Sequence, residues 1–248
     1  MDFQWDSSES RISMIILGVI LFFYLYYYLA HSSVFKRVAE KRYNHNSQKE
    51  LFRFFMQKLT GFVFLGLIPG VLYYLFIDHS LDKFGFSLLK LQSNISIILL
   101  LSGIIITILF FSQKANQQRN SLQINMKEWT PAMFLFNAVG WALYLIGYEF
   151  LFRGIFLNEC YTTFGFWPAI AINVVVYSAI HMVNGKDQAI GALIFGTIAC
   201  CLTITRGTLF IPVFMHISLS VFSDYFSIRL NPHLRFVKSG NQFFSKIK

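Results

Sequence analysis

Glu149 and Arg153 lie four residues apart inside a long apolar run, where charged side chains are unusual. Positions i and i+4 share one face of a helix, so these two side chains can pair with each other or point together into a cavity. An ionisable residue at membrane depth costs roughly 2.5 to 3.5 kcal/mol, so a segment that keeps two of them has a use for them. Two uses are open: a structural ion pair that locks helix packing, or a functional site.

Two later apolar segments carry polar side chains at intervals of four, which places each set on one helix face. The first set is Asn173, Tyr177 and His181, and the second is His216, Ser220 and Asp224. A single histidine in a membrane helix is often only a packing or hydrogen-bonding residue. Three segments with ionisable groups are harder to explain by packing alone. We therefore expect these side chains to converge in one hydrated cavity between helices.

The composition is that of a polytopic membrane protein. The mean hydropathy is +0.53, and 13% of the residues are charged, about half the fraction of a soluble protein. Seven segments lack Lys, Arg, Asp and Glu, and each is near or above the roughly 17 to 25 residues that span a bilayer as a helix. They cover residues 12–35, 59–77, 91–113, 129–148, 160–185, 188–205 and 207–223.

These segments predict an all-α transmembrane helix bundle of about seven spans, with a catalytic-type core in spans four to seven. We divide the chain into three parts. Residues 1–128 form an N-terminal three-span region with a basic cytoplasmic loop, residues 129–228 form the core, and residues 229–248 form a basic cytoplasmic tail.

Orientation follows from the loop charges. With seven spans, sixteen Lys and Arg residues fall on one side of the membrane, and the other side holds only Arg11, Lys83, Lys90 and Arg206. The positive-inside rule then places the N-terminus outside and the C-terminus in the cytoplasm. A basic rim beside anionic lipid headgroups accounts for the net charge of +9, so no nucleic-acid partner is expected.

Three local patterns, taken in order, resemble those of the CPBP family. They are Glu149-x-x-x-Arg153-Gly, Tyr177-x-x-x-His181 and His216-x-x-x-Ser220. This family groups the type II CAAX prenyl endopeptidases with bacterial bacteriocin-processing and self-immunity proteins. The resemblance covers roughly residues 129–226. It implies a multi-pass protease, in a bacterial cytoplasmic membrane, that acts on a membrane-associated or prenylated peptide.

The sequence departs from the family pattern at three positions. The family's first motif usually has two adjacent glutamates, and Tyr148 stands where the first of them would be. That first glutamate is the one usually assigned to activating water. Tyr177 replaces the usual Phe, and Ser220 stands where Asn is common, so a hydroxyl replaces a side-chain amide.

The resemblance implies a role for each candidate site residue. Glu149 is the carboxylate placed to activate water, with Arg153 beside it, and His181 and His216 polarise the carbonyl or orient the water. The supporting substrate or oxyanion donors are Tyr148, Tyr177 and Ser220. Alternatively, Glu149, His181 and His216 form a ligand set for zinc, although the chain lacks the compact H-E-x-x-H helix of a typical zinc protease.

Depth in the membrane argues against straight helices around this site. If span four enters the membrane near Phe136, Glu149 lies about 20 Å from the cytoplasmic side. His181 then lies at least ~10 Å away from it in depth. We expect a later membrane entry for span four, or broken helices around the cavity, and a site that opens toward the cytoplasm.

Three functions are compatible with the sequence. The first is an intramembrane protease in which Glu149 has taken over the role of base. The second is a non-catalytic relative that acts as a membrane immunity or partner-binding protein. The third is a transporter or proton relay that uses the same polar stripes, although the chain shows no obvious pair of inverted halves.

Overall fold

The computed structural model describes residues 7–80, 82–116 and 122–238. The predicted basic tail is described only as far as residue 238, so its last two lysines, Lys246 and Lys248, lie outside the described residues.

The described residues up to 116 form five α-helices. They are α1 (Ser7–Ala30), α2 (Ser33–Arg42), α3 (Asn46–Phe62), α4 (Ile68–Phe76) and α5 (Leu88–Ala115). A π-helical segment, Val63–Leu67, joins α3 to α4 into one long helix. A short 3₁₀ turn, Asp82–Phe84, lies in the connection before α5.

The described residues 122–238 add five α-helices. They are α6 (Pro131–Glu149), α7 (Leu157–Phe164), α8 (Phe166–His181), α9 (Lys186–Arg206) and α10 (Phe210–Leu230). A second π-helical segment, Phe150–Phe156, joins α6 to α7, and a 3₁₀ turn, Met182–Asn184, follows α8. Two-residue strands β1 (Glu128–Trp129) and β2 (Arg235–Phe236) pair in parallel.

Local sequence explains where the core helices begin and end. The Thr130 side chain accepts a hydrogen bond from the Met133 N–H at 3.2 Å, and Pro131 follows it, so α6 starts with a capped first turn. Gly207, with φ 60° and ψ 40°, ends α9 in the left-handed conformation that favours glycine. Only a short turn therefore separates α9 from α10, in agreement with the single residue between the predicted segments 188–205 and 207–223.

Within the described part of the chain, six helical stretches are long and apolar enough to cross a membrane. They are Ser10–Arg42, Asn46–Phe76, Leu88–Ala115, Pro131–Phe164, Lys186–Arg206 and Phe210–Leu230. Phe166–His181 is a shorter apolar helix. Each of these seven helices overlaps one of the seven predicted segments, which confirms the all-α, multi-pass bundle. The stretch Pro131–Phe164 extends beyond the predicted end at residue 148 and takes in the start of the predicted segment 160–185.

Two sets of contacts between connecting segments define the two ends of the bundle. We call one the Gly207 end, because the 77–87 connection and the 207–209 turn meet there: the Leu209 N–H donates to the Phe84 carbonyl at 3.3 Å. The opposite end, where β1 pairs with β2, is the Trp129 end.

The two long helices that contain π-helical segments are in contact through their backbones. A Cβ built on Gly66 would lie 2.8 Å from the Gly147 Cα, so no larger side chain fits there without a shift of the helices. This contact sets the position of the C-terminal turn of α6, which carries Glu149.

Candidate active site

Glu149 is the last residue of α6, and Arg153 lies in the π-helical segment that follows it. Both side chains are fully buried. The Arg153 Nη1 lies 3.3 Å from the Glu149 Oε2, so the pair predicted from the i, i+4 spacing forms. π-Helical turns occur frequently at functional sites, where they change the direction of a side chain.

His216 of α10 is bonded to the same carboxylate. Its Nδ1 lies 2.6 Å from the Glu149 Oε1. Because a carboxylate oxygen only accepts, we assign the proton to Nδ1. In the neutral imidazole, Nε2 is then the nitrogen with the free lone pair.

His181, the last residue of α8, has the same tautomer for the same reason. Its Nδ1 lies 2.9 Å from the Tyr177 carbonyl oxygen, which can only accept. His181 is partly exposed, whereas His216 is buried. Both imidazoles are therefore held through Nδ1 and keep Nε2 available for water or a substrate.

Tyr148 lies against both imidazoles. Its ring centroid is 6.3 Å from that of His181 and 5.9 Å from that of His216, with the ring planes close to perpendicular in both pairs. The side chain is buried, and its hydroxyl has no hydrogen-bond partner among the described residues. The Tyr148 ring thus packs against both candidate catalytic histidines.

Helix α9 contributes two residues to this cluster that were not predicted from the sequence. Phe195 packs its ring 4.9 Å from that of His216. A Cβ on Gly196 would lie 3.2 Å from the Tyr177 ring and 3.4 Å from the Arg153 Nη2, so glycine leaves room for both side chains. Neither residue has a polar side chain that would mark it as part of a site. The only indication in the sequence was a glycine in an apolar helix, which is typical of close helix packing.

The Tyr177 ring packs against the Arg153 guanidinium. The Arg153 guanidinium carbon lies 3.9 Å from the centroid of the Tyr177 ring, a cation–π contact. Asn173, one turn earlier on α8, donates its amide N–H to the Phe152 carbonyl at 2.7 Å. Asn173 is therefore engaged with the backbone of the π-helical segment.

The expected convergence of the two stripes is only partly correct, because the far end of the α10 stripe belongs to a separate cluster. The Asp224 Oδ2 accepts from the Asn137 amide at 2.9 Å and from the Trp141 indole at 2.8 Å. The buried Lys58 ammonium lies 3.2 Å from the centroid of that indole. Ser220, between the two clusters, makes no hydrogen bond to the site within the described residues.

The depth difference calculated for straight helices does not keep the two segments apart, because Tyr148 packs against His181 and a π-helical segment interrupts the helix after Glu149. Arg153 and Tyr177 each lie twelve residues from the turn at Gly165, and Tyr148 and His181 lie seventeen and sixteen residues from it. Antiparallel helices that share a turn bring equidistant residues to the same level. The levels of the residues on the two helices are therefore compared by their distance from Gly165, and not from the point where each helix enters the membrane.

The proposed zinc ligands do not fit a metal site. The Glu149 Oε1 and the His216 Nδ1 are bonded to each other, and the same carboxylate faces the Arg153 guanidinium. A divalent cation there would meet a fixed positive charge. Within the described residues, no group of three His, Cys, Asp or Glu side chains could hold a metal ion.

A comparison with known families gives one match, which covers the core. Residues 127–222 match the family model described as type II CAAX prenyl endopeptidase Rce1-like. Every candidate site residue falls inside this range, so the resemblance based on the three motifs is confirmed for the core. At family level, the match is to an intramembrane peptidase. Neither the curated proteins nor the solved structures contain a match to this chain.

Proposed function

We propose that this protein is an intramembrane endopeptidase that hydrolyses a peptide bond of a membrane-associated or prenylated peptide. The observation that carries the proposal is the 2.6 Å contact between the Glu149 Oε1 and the His216 Nδ1, in a cluster that also holds His181. A carboxylate that holds one imidazole nitrogen and leaves the other free is the arrangement of a general base.

In this proposal, His216 is the base and Glu149 positions it. The Glu149 oxygens lie against His216 and Arg153, so the His216 Nε2 is the basic atom that neither neighbour engages. The His216 Nε2 takes a proton from water as the water oxygen bonds to the peptide carbonyl carbon. The buried carboxylate stabilises the imidazolium that forms.

Tyr148 and His181 complete the chemistry. The free Tyr148 hydroxyl donates to the oxyanion that develops on the carbonyl oxygen. The His181 Nε2 lone pair accepts the second water hydrogen and holds the water in line with the carbonyl. The imidazolium of His216 then gives its proton to the leaving amine nitrogen, so the products are one carboxyl and one amine group.

The first test is cleavage by the full-length protein in liposomes. The substrate is a peptide that ends in a farnesylated CAAX sequence, and mass spectrometry measures the released tripeptide. We expect His216→Ala to lower the rate about 100-fold or more, the usual contribution of a general base. His79→Ala, in the 77–87 connection outside the site, is the matched control. Equal rates for wild type and His216→Ala would rule out this mechanism.

A second candidate function, a non-catalytic relative that binds a membrane partner, is favoured by Tyr148. This residue replaces the glutamate usually assigned to water activation, and its buried ring contacts both imidazoles. On this alternative, the wild type does not cleave the peptide, and Tyr148→Glu gains cleavage because the missing base is restored. Cleavage by the wild type, lost on His216→Ala, would contradict the alternative.

A further inference from the structure

A buried lysine lies between the candidate active site and the Trp129 end. Lys58 of α3 is 3% exposed and is the only lysine among the buried side chains of the described residues. It belongs to the apolar stretch Asn46–Phe76, where a charged group is costly. Its ammonium lies 3.2, 4.6 and 5.1 Å from the ring centroids of Trp141, Tyr144 and Phe54. Lys58 is therefore a candidate binding residue outside the histidine cluster.

The aromatic rings stabilise the charge of Lys58 but do not satisfy its hydrogen-bond donors. An ammonium has three N–H donors, and an aromatic face does not replace the oxygen acceptors that they lose on burial. With the described residues, Lys58 forms no hydrogen bond and no ion pair within 4 Å. An oxygen acceptor from a ligand would fill this position.

Asp224 acts on the charge of Lys58 at longer range and holds the same indole ring from another side. Its Oδ2 accepts from the Trp141 indole at 2.8 Å and from the Asn137 amide at 2.9 Å. Trp141 thus meets Asp224 with its N–H edge and Lys58 with its face. The two printed hydrogen bonds to Asp224 come from neutral groups, so the positive charge of Lys58 is offset only from a distance.

The face of α6 between Lys58 and the histidines is aromatic and partly open. Trp141, Tyr144 and Tyr148 share this face, because they are spaced i, i+3 and i+7. Their rings follow one another at centroid distances of 6.1 and 5.6 Å. Helix α8 ends at His181, beside Tyr148, whereas Trp141 and Tyr144 keep part of their surface exposed. A peptide can therefore lie along this face, from the histidines toward Lys58.

The length of this face matches a short peptide end. Trp141 lies seven residues before Tyr148, which is about 10 Å along the helix axis. Three residues of extended peptide also span about 10 Å. A peptide whose scissile carbonyl lies at the histidines, and which ends three residues later, places its terminal carboxylate at the level of Lys58. An ammonium and a carboxylate form strong, charge-assisted hydrogen bonds.

We propose that Lys58 binds the C-terminal carboxylate of the peptide substrate, and that Trp141 and Tyr144 line the path of its last three residues. This inference rests on the proposed function, because it places the scissile bond at the histidines. It makes Lys58 a specificity-determining residue that selects a free carboxyl end three residues beyond the cleaved bond. A purely structural Lys58 would instead serve only to offset the charge of Asp224.

Peptide binding tests the proposal without cleavage. The protein is full-length His216→Ala in nanodiscs, and empty nanodiscs supply the background. Fluorescence anisotropy compares a labelled farnesylated CAAX peptide that ends in a free carboxylate with the same peptide ending in a carboxamide. Lys58→Met and Asp224→Asn are added separately to this protein. Lys114→Met, at the exposed end of α5, is the matched control.

We expect the carboxylate peptide to bind at least tenfold more tightly than the carboxamide, and Lys58→Met to abolish this preference. Asp224→Asn removes a competing negative charge, so it should increase the preference about threefold. Lys114→Met should leave it unchanged.

Equal binding of the two peptides by the His216→Ala protein would overturn the proposal, even if Lys58→Met does not fold. A preference that survives Lys58→Met, or that falls in Asp224→Asn, would also overturn it. Failure of the cleavage assay with an intact carboxylate preference would contradict the proposed function alone.

Discussion

Two buried glutamates of the described residues, Glu149 and Glu159, each pair with an arginine, and the two pairs are bonded differently. Arg11 donates two hydrogen bonds to the Glu159 carboxylate, at 2.7 and 2.9 Å. Arg153 reaches Glu149 with one nitrogen at 3.3 Å, and the rest of its guanidinium has no partner among the described residues. The same two residue types therefore build a saturated pair near the Gly207 end and an unsaturated pair in the core.

The surroundings of Glu159 extend this contrast. The Tyr73 hydroxyl donates to the Glu159 carboxylate, and Lys83 lies 3.4 Å from it. Three helices, α1, α4 and α7, are thereby joined through one carboxylate. A carboxylate that accepts hydrogen bonds from several fixed donors stabilises packing. A carboxylate that holds an imidazole, next to an arginine with unpaired N–H groups, is suited to catalysis.

The largest effect expected from this comparison is on catalysis. Glu149→Gln keeps the shape of the side chain but removes the charge that stabilises the His216 imidazolium, so we expect peptide cleavage to fall about 1,000-fold. Glu159→Gln, the matched change in the saturated pair, should alter the rate less than tenfold. Equal losses in the two variants would mean that both act only through the fold.

The next effect concerns the Tyr148 hydroxyl, which has no hydrogen-bond partner among the described residues. Tyr148→Phe removes the proposed oxyanion donor, so we expect the rate to fall about 100-fold with little change in KM. The thermal stability should stay the same or rise, because a buried hydroxyl without a partner is unfavourable. Tyr73→Phe is the control: its hydroxyl is bonded to Glu159, so that variant should lose stability rather than activity.

The third effect is on stability. Glu159→Gln leaves Arg11 and Lys83 without their carboxylate, so we expect the free energy of unfolding to fall by about 1 to 3 kcal/mol. Glu50→Gln, in the partly exposed i, i+3 pair with Arg53, should cost at most about 1 kcal/mol. Thermal unfolding of the detergent-solubilised proteins measures both. An equal effect would contradict the structural role of Glu159.

The smallest effect concerns the helix that closes the site. Gly196→Ala places a methyl group 3.2 Å from the Tyr177 ring and 3.4 Å from the Arg153 Nη2. Both neighbours must move by a few tenths of an ångström, and we expect a rate loss of about tenfold because Arg153 contacts Glu149. Gly191→Ala, on the same helix with nothing within 4 Å, should leave the rate unchanged.

Much of the fold was accessible from the sequence because it depends on local properties. Charge-free runs of sufficient length locate the membrane helices, and Gly207 marks the turn between the last two. The i, i+4 spacing correctly pairs Glu149 with Arg153. The three-part division of the chain and its orientation in the membrane stay predictions.

Part of the site could also be predicted from local spacing in the sequence, and part could not. The i, i+4 stripes bring His181 and His216 into the cluster, but the stripes do not show that Asn173 is engaged with the Phe152 carbonyl or that Asp224 lies in a second cluster. A stripe shows which residues share a helix face. It does not show which neighbouring helix that face meets.

By itself, the sequence determined the helical class, the positions of the spans, the family resemblance and the set of ionisable residues, since these depend on composition and short spacings. Only the tertiary structure decided which of those groups meet. Pairing across the turn at Gly165 brings Tyr148 to His181, and the packing of α10 directs His216 onto Glu149. The unpaired edge of Arg153 also emerged only there, because hydrogen-bond saturation depends on every neighbour around a buried group.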